Sequence, residues 1–365
     1  MIQEGKFGIA EAMWLVVFTS AAKVFFTSPA TVAALVGTAG WYMTLISALT
    51  ALLGFAFIYL LLKRFPNCDL AEIFELALGR PLGFVFTGLL AVHLFFAATT
   101  NLAEFGDVIR IYVFPLSHNW YIVGLFILNV FILSRLGLET MARLAKLLAY
   151  PMLLGYLTVV ALGIQNYDIN NIFPLFGSGL KKTVLAGIVR CSAYGEVIIL
   201  AVFAKSFQGL ENIKKEGLIS LALAALLVSF SLLLFTLTFP YYIAKEITAP
   251  MLEMAALIDY GSTLQRVETI FLFIWMISTL ISTTVLFYSF VWLYCKMFRI
   301  TDKKPIVLAG SVVLFATSLM HTDVISVILG EVEFIRKFGS IPFFVLPLVA
   351  LIVAVIRKKG VNADA

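Results

Sequence analysis

Ten runs of roughly 20 predominantly apolar residues, each set off by short basic or Pro/Gly-containing punctuation, constrain this chain more than any other feature. They lie near 8–34, 40–62, 82–112, 118–134, 143–164, 183–207, 216–240, 266–295, 305–320 and 338–356. A helix of about 20 residues crosses the ~30 Å hydrocarbon core of a bilayer, and inside lipid every backbone N–H and C=O must be bonded within the segment. The breaks include Lys63-Arg64-Phe65-Pro66, Lys214-Lys215-Glu216-Gly217 and Lys303-Lys304-Pro305. Composition closes the soluble alternative. Apolar residues make up 62% of the chain and charged ones 13%, against about 25% charged in an ordinary soluble domain. The sequence therefore predicts an all-α polytopic membrane protein with ten transmembrane helices, forming one permease-like domain over 1–365 with lipid around it.

The net charge of +5 is dispersed between the runs, so it predicts topology and no nucleic-acid partner. With the N-terminus inside, 17 of the 26 basic residues fall in cytoplasmic segments, from Lys6 through Lys63, Arg64, Lys214, Lys215, Lys303 and Lys304 to Arg357, Lys358 and Lys359. Seven fall outside, Arg110, Lys181, Lys182, Lys245, Arg266, Arg336 and Lys337, while Lys23 and Arg190 lie within runs. Lys and Arg are enriched in short cytoplasmic loops, so both termini are expected to be cytoplasmic. The first run carries Glu11 and continues past Ser20-Ala21-Ala22, so it is expected to remain as a helix rather than act as a cleaved signal.

Enzyme chemistry has no foothold in this sequence. Cys68, Cys191 and Cys295 are scattered and read as small buried side chains. His93, His118 and His321 make no ligand spacing, and no Gly-rich phosphate loop or nucleophile elbow occurs. Neither a metal nor a cofactor is expected. Two shorter stretches lie between runs: 69–78 separates acids from apolar residues as an interfacial helix would, and 250–257 reads as a short helix over the outer face, either a lid or a plain surface helix.

Ionisable residues inside membrane helices are expensive and mark functional or paired sites. The first run holds Thr19, Ser20 and Lys23 near its middle, where a local unwinding or a continuous helix with Lys23 reaching the interface are both open. The sixth run contains Arg190, Cys191, Ser192, Ala193, Tyr194, Gly195 and Glu196. Arg190 and Glu196 either bridge each other, or the helix breaks over 192–196 with its ends facing a ligand. Interruptions in runs one and six, five runs apart, point to a five-plus-five inverted repeat with a midplane site, divided at about 1–164 and 165–358. Half-helix ends attract a carboxylate at one side and an ammonium at the other, so an amino acid is the natural guest. In the third run His93, Ala97, Thr100, Glu104 and Asp107 share one face, a proton or substrate path or an interior face paired with Lys23 or Arg190. In the eighth, Ser278, Ser282 and Ser289 recur beside Thr279 and Thr283, as packing glue or as ligand or ion contacts. Candidate ligand contacts are thus Thr19, Ser20, Lys23, Thr100, Ser192, Tyr194, Gly195, Ser278 and Ser282; candidate coupling or pairing residues are Glu104, Arg190, Glu196 and Thr283.

The chain also resembles the spore-germination permeases, the B subunits of GerA-type germinant receptors, within the amino acid/polyamine/organocation transporter superfamily. The resemblance rests on the ten runs and on Asp168-Ile169-Asn170-Asn171-Ile172-Phe173-Pro174-Leu175-Phe176-Gly177-Ser178-Gly179-Leu180. It rests further on Gly195-Glu196-Val197 and on Gln265-Arg266-Val267-Glu268-Thr269-Ile270-Phe271, which is similar to the family's Glu-Arg-hydrophobic-Glu segment. It implies a LeuT-like fold with discontinuous helices one and six and a central pocket between helices one, three, six and eight. It implies sensing of a nutrient such as an amino acid, in the spore inner membrane beside an A subunit and a lipoprotein C subunit. Proton-coupled amino acid transport is the alternative. Where many members have a Gly-rich break ending in Leu-Pro-Arg, this chain has Thr19-Ser20-Ala21-Ala22-Lys23, then Phe26-Thr27-Ser28-Pro29. A Lys23 facing the pocket would replace a bound sodium ion or contact a ligand carboxylate.

Overall fold

A computed structural model of the chain describes residues 8–207, 209–261, 266–321 and 324–360. Lys6, Gln265 and the tail beyond Gly360 lie outside the described residues. All regular structure among those described is helical: α1 Ile9–Ala21, α2 Ser28–Val36, α3 Gly40–Arg64, α4 Leu70–Leu78, α5 Arg80–Tyr112, α6 Asn119–Leu136 and α7 Leu138–Leu162 come first. Then follow α8 Leu180–Val189, α9 Ile199–Val202, α10 Leu210–Thr238, α11 Tyr241–Ala244, α12 Pro250–Ala256, α13 Glu268–Met297 and α14 Lys304–Ser318. A final segment contains α15 Glu333–Phe338 and α16 Leu346–Ile356, with π-helical turns at Val327–Val332 and Ile341–Val345.

Among the described residues, eight helical stretches are long and apolar enough to cross a bilayer. They differ from the expected runs in three places, one being α14, which at 15 residues is shorter than those eight. The first run divides: α1 is only 13 residues long, and α2 continues through a tight turn at Gly37–Ala39 into α3, so that Ser28–Arg64 reads as one stretch. The last run begins earlier than expected, because Val327–Ile356 is one helical stretch. Arg336 and Lys337, expected in an outer loop, therefore sit inside a helix, and Arg336 is buried.

The packing follows from the sequence pattern. α13 lies along α5 and α7, α10 lies along α3, and α1 is wedged among α7, α10 and α13. Their facing sides carry small residues and rings, with Trp275, Tyr288, Phe203 and Phe235 fully buried. Their outer sides expose large apolar residues such as Leu49, Leu53, Leu147 and Leu154, an arrangement that water penalises and acyl chains accept. With the apolar stretches, this makes the chain an integral membrane protein.

Both ends of the bundle are tied. At one, Asp168 and Asn171 donate a backbone and a side-chain N–H to the Leu237 carbonyl of α10 at 2.9 and 3.0 Å, and Ser178 N–H donates to Val36 O at 3.0 Å. Gly177 has φ +49°, and a Cβ there would strike the Val36 carbonyl and Ala39; the turn requires glycine. The 168–180 motif thus clamps the α2–α3 joint to the end of α10.

At the opposite end α4 begins with a capping box, Glu72 N–H donating to Asp69 at 3.1 Å and Asp69 N–H to Glu72 at 3.2 Å. Lys296 reaches Asp69 at 2.6 Å and Glu72 at 3.0 Å, and Lys205 reaches Glu72 at 2.6 Å. Burial pushes the Asp69 carboxyl above its ordinary range, with Lys296 opposing. Burial also raises Glu72, but hydrogen bonds from Lys205 and Lys296 outweigh it and hold that carboxyl below its usual 4.5. A depressed carboxyl contributes stability present above its unfolded pKa and lost as pH falls through the folded one; a raised carboxyl has the opposite sign. Glu72→Gln is therefore expected to flatten the loss of thermal stability of the purified chain as pH is lowered from about 5 to 3. An acid limb as steep as the parent's would show that Glu72 does not contribute it.

Candidate functional site

The first helix is broken without glycine. α1 ends at Ala21, Ala22–Phe25 winds as a tighter 3₁₀ turn, Phe26 is extended, and α2 starts with Ser28-Pro29. Pro29 has no N–H to continue the ladder and is favoured at a helix start. The orphan donors of this start are met from α5: the Thr27 N–H donates to Glu104 Oε1 at 2.8 Å, and the Thr27 hydroxyl donates to the same oxygen. A carboxylate is well suited to the positive end of a helix.

The sixth apolar run is also broken, where it meets Lys23. After α8, residues Arg190–Ile198 form a 3₁₀ stretch, with Tyr194 at φ −115°, ψ 15°, before α9. Gly195 lies so close to the Phe343 ring that a Cβ would overlap it. Non-helical backbone survives at membrane depth only where side chains meet its freed groups, and one does. Lys23 Nζ donates to the Ala193 carbonyl at 2.7 Å and pairs with Glu196 Oε2. Lys23 and Glu196 are 7% and 2% exposed, so the two interruptions are joined by a buried ion pair.

Arg190 takes Glu333 of α15 as its partner, not Glu196, and Lys337 also reaches Glu333 at 3.3 Å. The direct Arg190–Glu196 bridge open to the sequence is not formed. Ser192 donates its hydroxyl to the carbonyls of Ile335 and Arg336 at 3.2 and 3.0 Å, tying the break to α15.

The stripe on α5 is buried throughout and faces the bundle interior. Glu104 accepts from Thr27, the Thr100 hydroxyl donates to Glu331 at 2.7 Å, and Asp107 accepts from Arg110 and Asn119 at 3.3 and 3.1 Å. His93 stands edge-on to Phe343. On α13, Ser282 donates weakly to the Thr19 carbonyl at 3.4 Å and accepts from Asn101 at 3.3 Å. Thr19 bonds its own helix at Leu15, and Ser289 likewise bonds Val285. The hydroxyls of Ser20, Ser278, Thr279 and Thr283 are buried with no hydrogen-bond partner among the described residues. Ser278 lies apart from the central site, in a mostly apolar cavity of about 50 Å³ with Trp14, Phe18 and Tyr156.

A central cavity of about 40 Å³ lies between the interruptions, walled by Ser20, Lys23, Ser28, Thr31, Thr44, Ser47, Arg190, Tyr194 and Arg336 with Val24, Met43 and Leu232. Thr19, Thr100, Ser192, Gly195, Ser282, Thr283, Glu104 and Glu196 are not among the residues that line it. α12 packs over the Ala22–Phe25 turn and α13 with Met251, Leu252 and Met254 buried, so it covers the break in helix one. No group of three metal-binding side chains occurs among the described residues.

Sequence reasoning missed Thr27, Glu331, Glu333 and Arg336. Four charges within 331–337 lower the hydropathy there and hide the helix. The available signal was the recurrence of Val327, Val332 and Ile335 around them, and those three are the buried apolar positions.

With this geometry in hand, comparisons with known proteins give one direction. A family model described as "Spore germination protein" matches residues 8–324. Spore germination protein KB of Bacillus subtilis (strain 168) is 23% identical over 332 residues, 88% of each chain, and spore germination protein YndE of the same strain is 21% identical over 334 residues, also 88% of each. Among solved structures, Mhp1, a nucleobase-cation-symport-1 family transporter in a closed conformation with bromovinylhydantoin bound, superposes with TM-score 0.66 at 13% identity, covering 98% of this chain and 79% of the other. The Eremococcus coleocola manganese transporter, in complex with an aromatic bis-isothiourea substituted compound, gives TM-score 0.64 at 14% identity, covering 98% and 78%. These likenesses concern the fold, which is that of LeuT-type transporters.

Proposed function

The chain belongs to the spore germination permease family, and from that premise we propose that it is the nutrient-sensing subunit of a germination receptor in the spore inner membrane. Ten crossings make up its fold: α1 with α2, α3, α5, α6, α7, α8 with α9, α10, α13, α14 and the final segment. They divide into a five-plus-five inverted repeat at about 1–164 and 165–358, with both termini cytoplasmic. An A-type subunit and a lipoprotein C-type subunit are its partners, and a small nutrient, an amino acid in the first instance, is its ligand.

The observation that carries this reading is the meeting of two helix interruptions, five crossings apart, across Lys23 and Glu196 beside a cavity whose wall includes Lys23, Arg190 and Arg336. Lys23, Ser20 and Tyr194 contact the ligand; Ser192, Gly195, Thr100, Thr19 and Ser282 position the segments around it; Glu104, Arg190 and Glu196 carry the pairing that changes between states, while Ser278 lies in a separate cavity and the Thr283 hydroxyl has no hydrogen-bond partner among the described residues. The cavity has room for little more than a few waters, so binding requires the segments around it to move. A ligand shifts that equilibrium only by its differential affinity for the two arrangements, and the partner subunits read the shift.

The purified chain in proteoliposomes tests this. Saturable binding of a radiolabelled amino acid, without uptake into the lumen, is the expected result. Uptake driven by a proton gradient would replace sensing by the alternative, proton-coupled transport with Glu104, Glu196 or Lys23 titrating. Absence of binding by every one of the twenty amino acids would overturn an amino acid as the ligand.

A further inference from the structure

We propose that the central cavity selects a net-anionic small carboxylate, one with more carboxylates than ammonium groups, such as an acidic amino acid or a hydroxy-dicarboxylate, and that Arg336 is the residue that selects it. This rests on the reading of the cavity as the ligand site.

Every charged side chain in the cavity wall is a cation: Lys23, Arg190 and Arg336. Two of them have carboxylate partners, Lys23 in Glu196 and Arg190 in Glu333. Arg336 differs. It is 8% exposed, and Nη1 is buried without a hydrogen-bond partner. Its guanidinium forms no hydrogen bond or ion pair with any described residue. Glu196, Glu104 and Glu333 lie within its electrostatic reach, but each is engaged elsewhere, Glu196 by Lys23, Glu104 by both donors of Thr27 and Glu333 by Arg190 and Lys337.

A guanidinium is permanently charged and carries five donors in a fork that matches a carboxylate, so a buried one without hydrogen bonds is a site awaiting two acceptor oxygens. The rest of the wall supplies hydroxyls from Ser20, Ser28 and Thr31 but no carboxylate. A ligand ammonium would therefore face three cations with only neutral oxygens to receive it. A neutral amino acid gains from one end of the wall and loses at the other. A ligand with a surplus carboxylate gains from both Arg336 and Lys23.

Equilibrium binding to the full chain in lipid nanodiscs, with radiolabelled L-aspartate, L-malate and L-alanine as probes, tests the inference. The expected result is at least about tenfold tighter binding of L-aspartate or L-malate than of L-alanine, since charge-assisted pairs are about twice as strong as neutral ones. Arg336→Gln is expected to remove that preference while Arg336→Lys retains part of it. Equal or tighter binding of L-alanine by the parent chain would overturn the charge preference and leave the pocket reading standing. No binding of any of the three probes, nor of the other amino acids, would overturn both. The comparison of ligands on the parent chain needs no variant, so a folding defect in Arg336→Gln cannot decide it.

Discussion

Replacing Lys23 by Met is expected to destabilise the chain by about 3–5 kcal/mol, the range for breaking a buried ion pair by removal of one partner. The loss of attraction is the smaller part of this. Glu196, 2% exposed, would keep its carboxylate in the bundle centre with no cation bonded to it, and the Ala193 carbonyl would lose the donor that meets it inside the 3₁₀ stretch. The double variant Lys23→Met with Glu196→Leu removes the stranded charge as well, and buried pairs exchanged for apolar residues of similar volume are often neutral. Its thermal stability should return most of the way to that of the parent. A double-mutant cycle on detergent-purified protein measures this directly. Additive losses, or a Lys23→Met cost below about 1 kcal/mol, would show that the pair does not join the two interruptions. On the proposed function, nutrient-triggered germination should be lost in the double variant as in the single one, since stability is recovered but the Lys23 ammonium lining the cavity is not.

Gly195→Ala should be nearly as damaging for a purely steric reason. The added Cβ would fall within the Phe343 ring, and Phe343 is fully buried against His93 and Phe344 with nowhere to retreat. Overpacking of this kind costs about 1–3 kcal/mol, and Gly195→Val should exceed it. The distinguishing measurement is compensation. Gly195→Ala combined with Phe343→Leu should unfold at a higher temperature than Gly195→Ala alone, although Phe343→Leu by itself opens a void and destabilises. If the second substitution only adds to the first, the close approach of the sixth helix to the last one is not what requires glycine at 195.

Both variants bear on features that the sequence revealed unequally. The long apolar runs were legible because a bilayer imposes one length and one composition on every crossing. The interruptions in helices one and six were legible because polar side chains at mid-depth are tolerated only for a reason. Their pairing was not. Glu196 stood six residues from Arg190, a spacing that left a direct bridge open, yet it is bonded to Lys23, 173 positions away, while Arg190 turns to Glu333. No local pattern encodes which of two buried cations a carboxylate will face. The helix-one break also has a cause beyond its own residues: Pro29 ends the ladder locally, but Glu104 from α5 supplies the acceptor that the start of α2 needs.

The clearest misreading, the helix containing Arg336, has a related origin. Hydropathy assigns a charged segment to water, and residues 331–337 are charged enough to be assigned there. In the folded chain three of those charges, Glu331, Glu333 and Arg336, point inward, toward Thr100, Arg190 and the cavity, and a helix packed against protein can carry charges that one facing lipid cannot. The sequence by itself determined the solvent, the helical class and the depth at which polar chemistry is concentrated, because these depend on composition and period along one segment. Only the tertiary structure decided which charges are paired and which, Arg336 above all, is left facing a cavity, because pairing depends on the directions in which distant helices present their side chains.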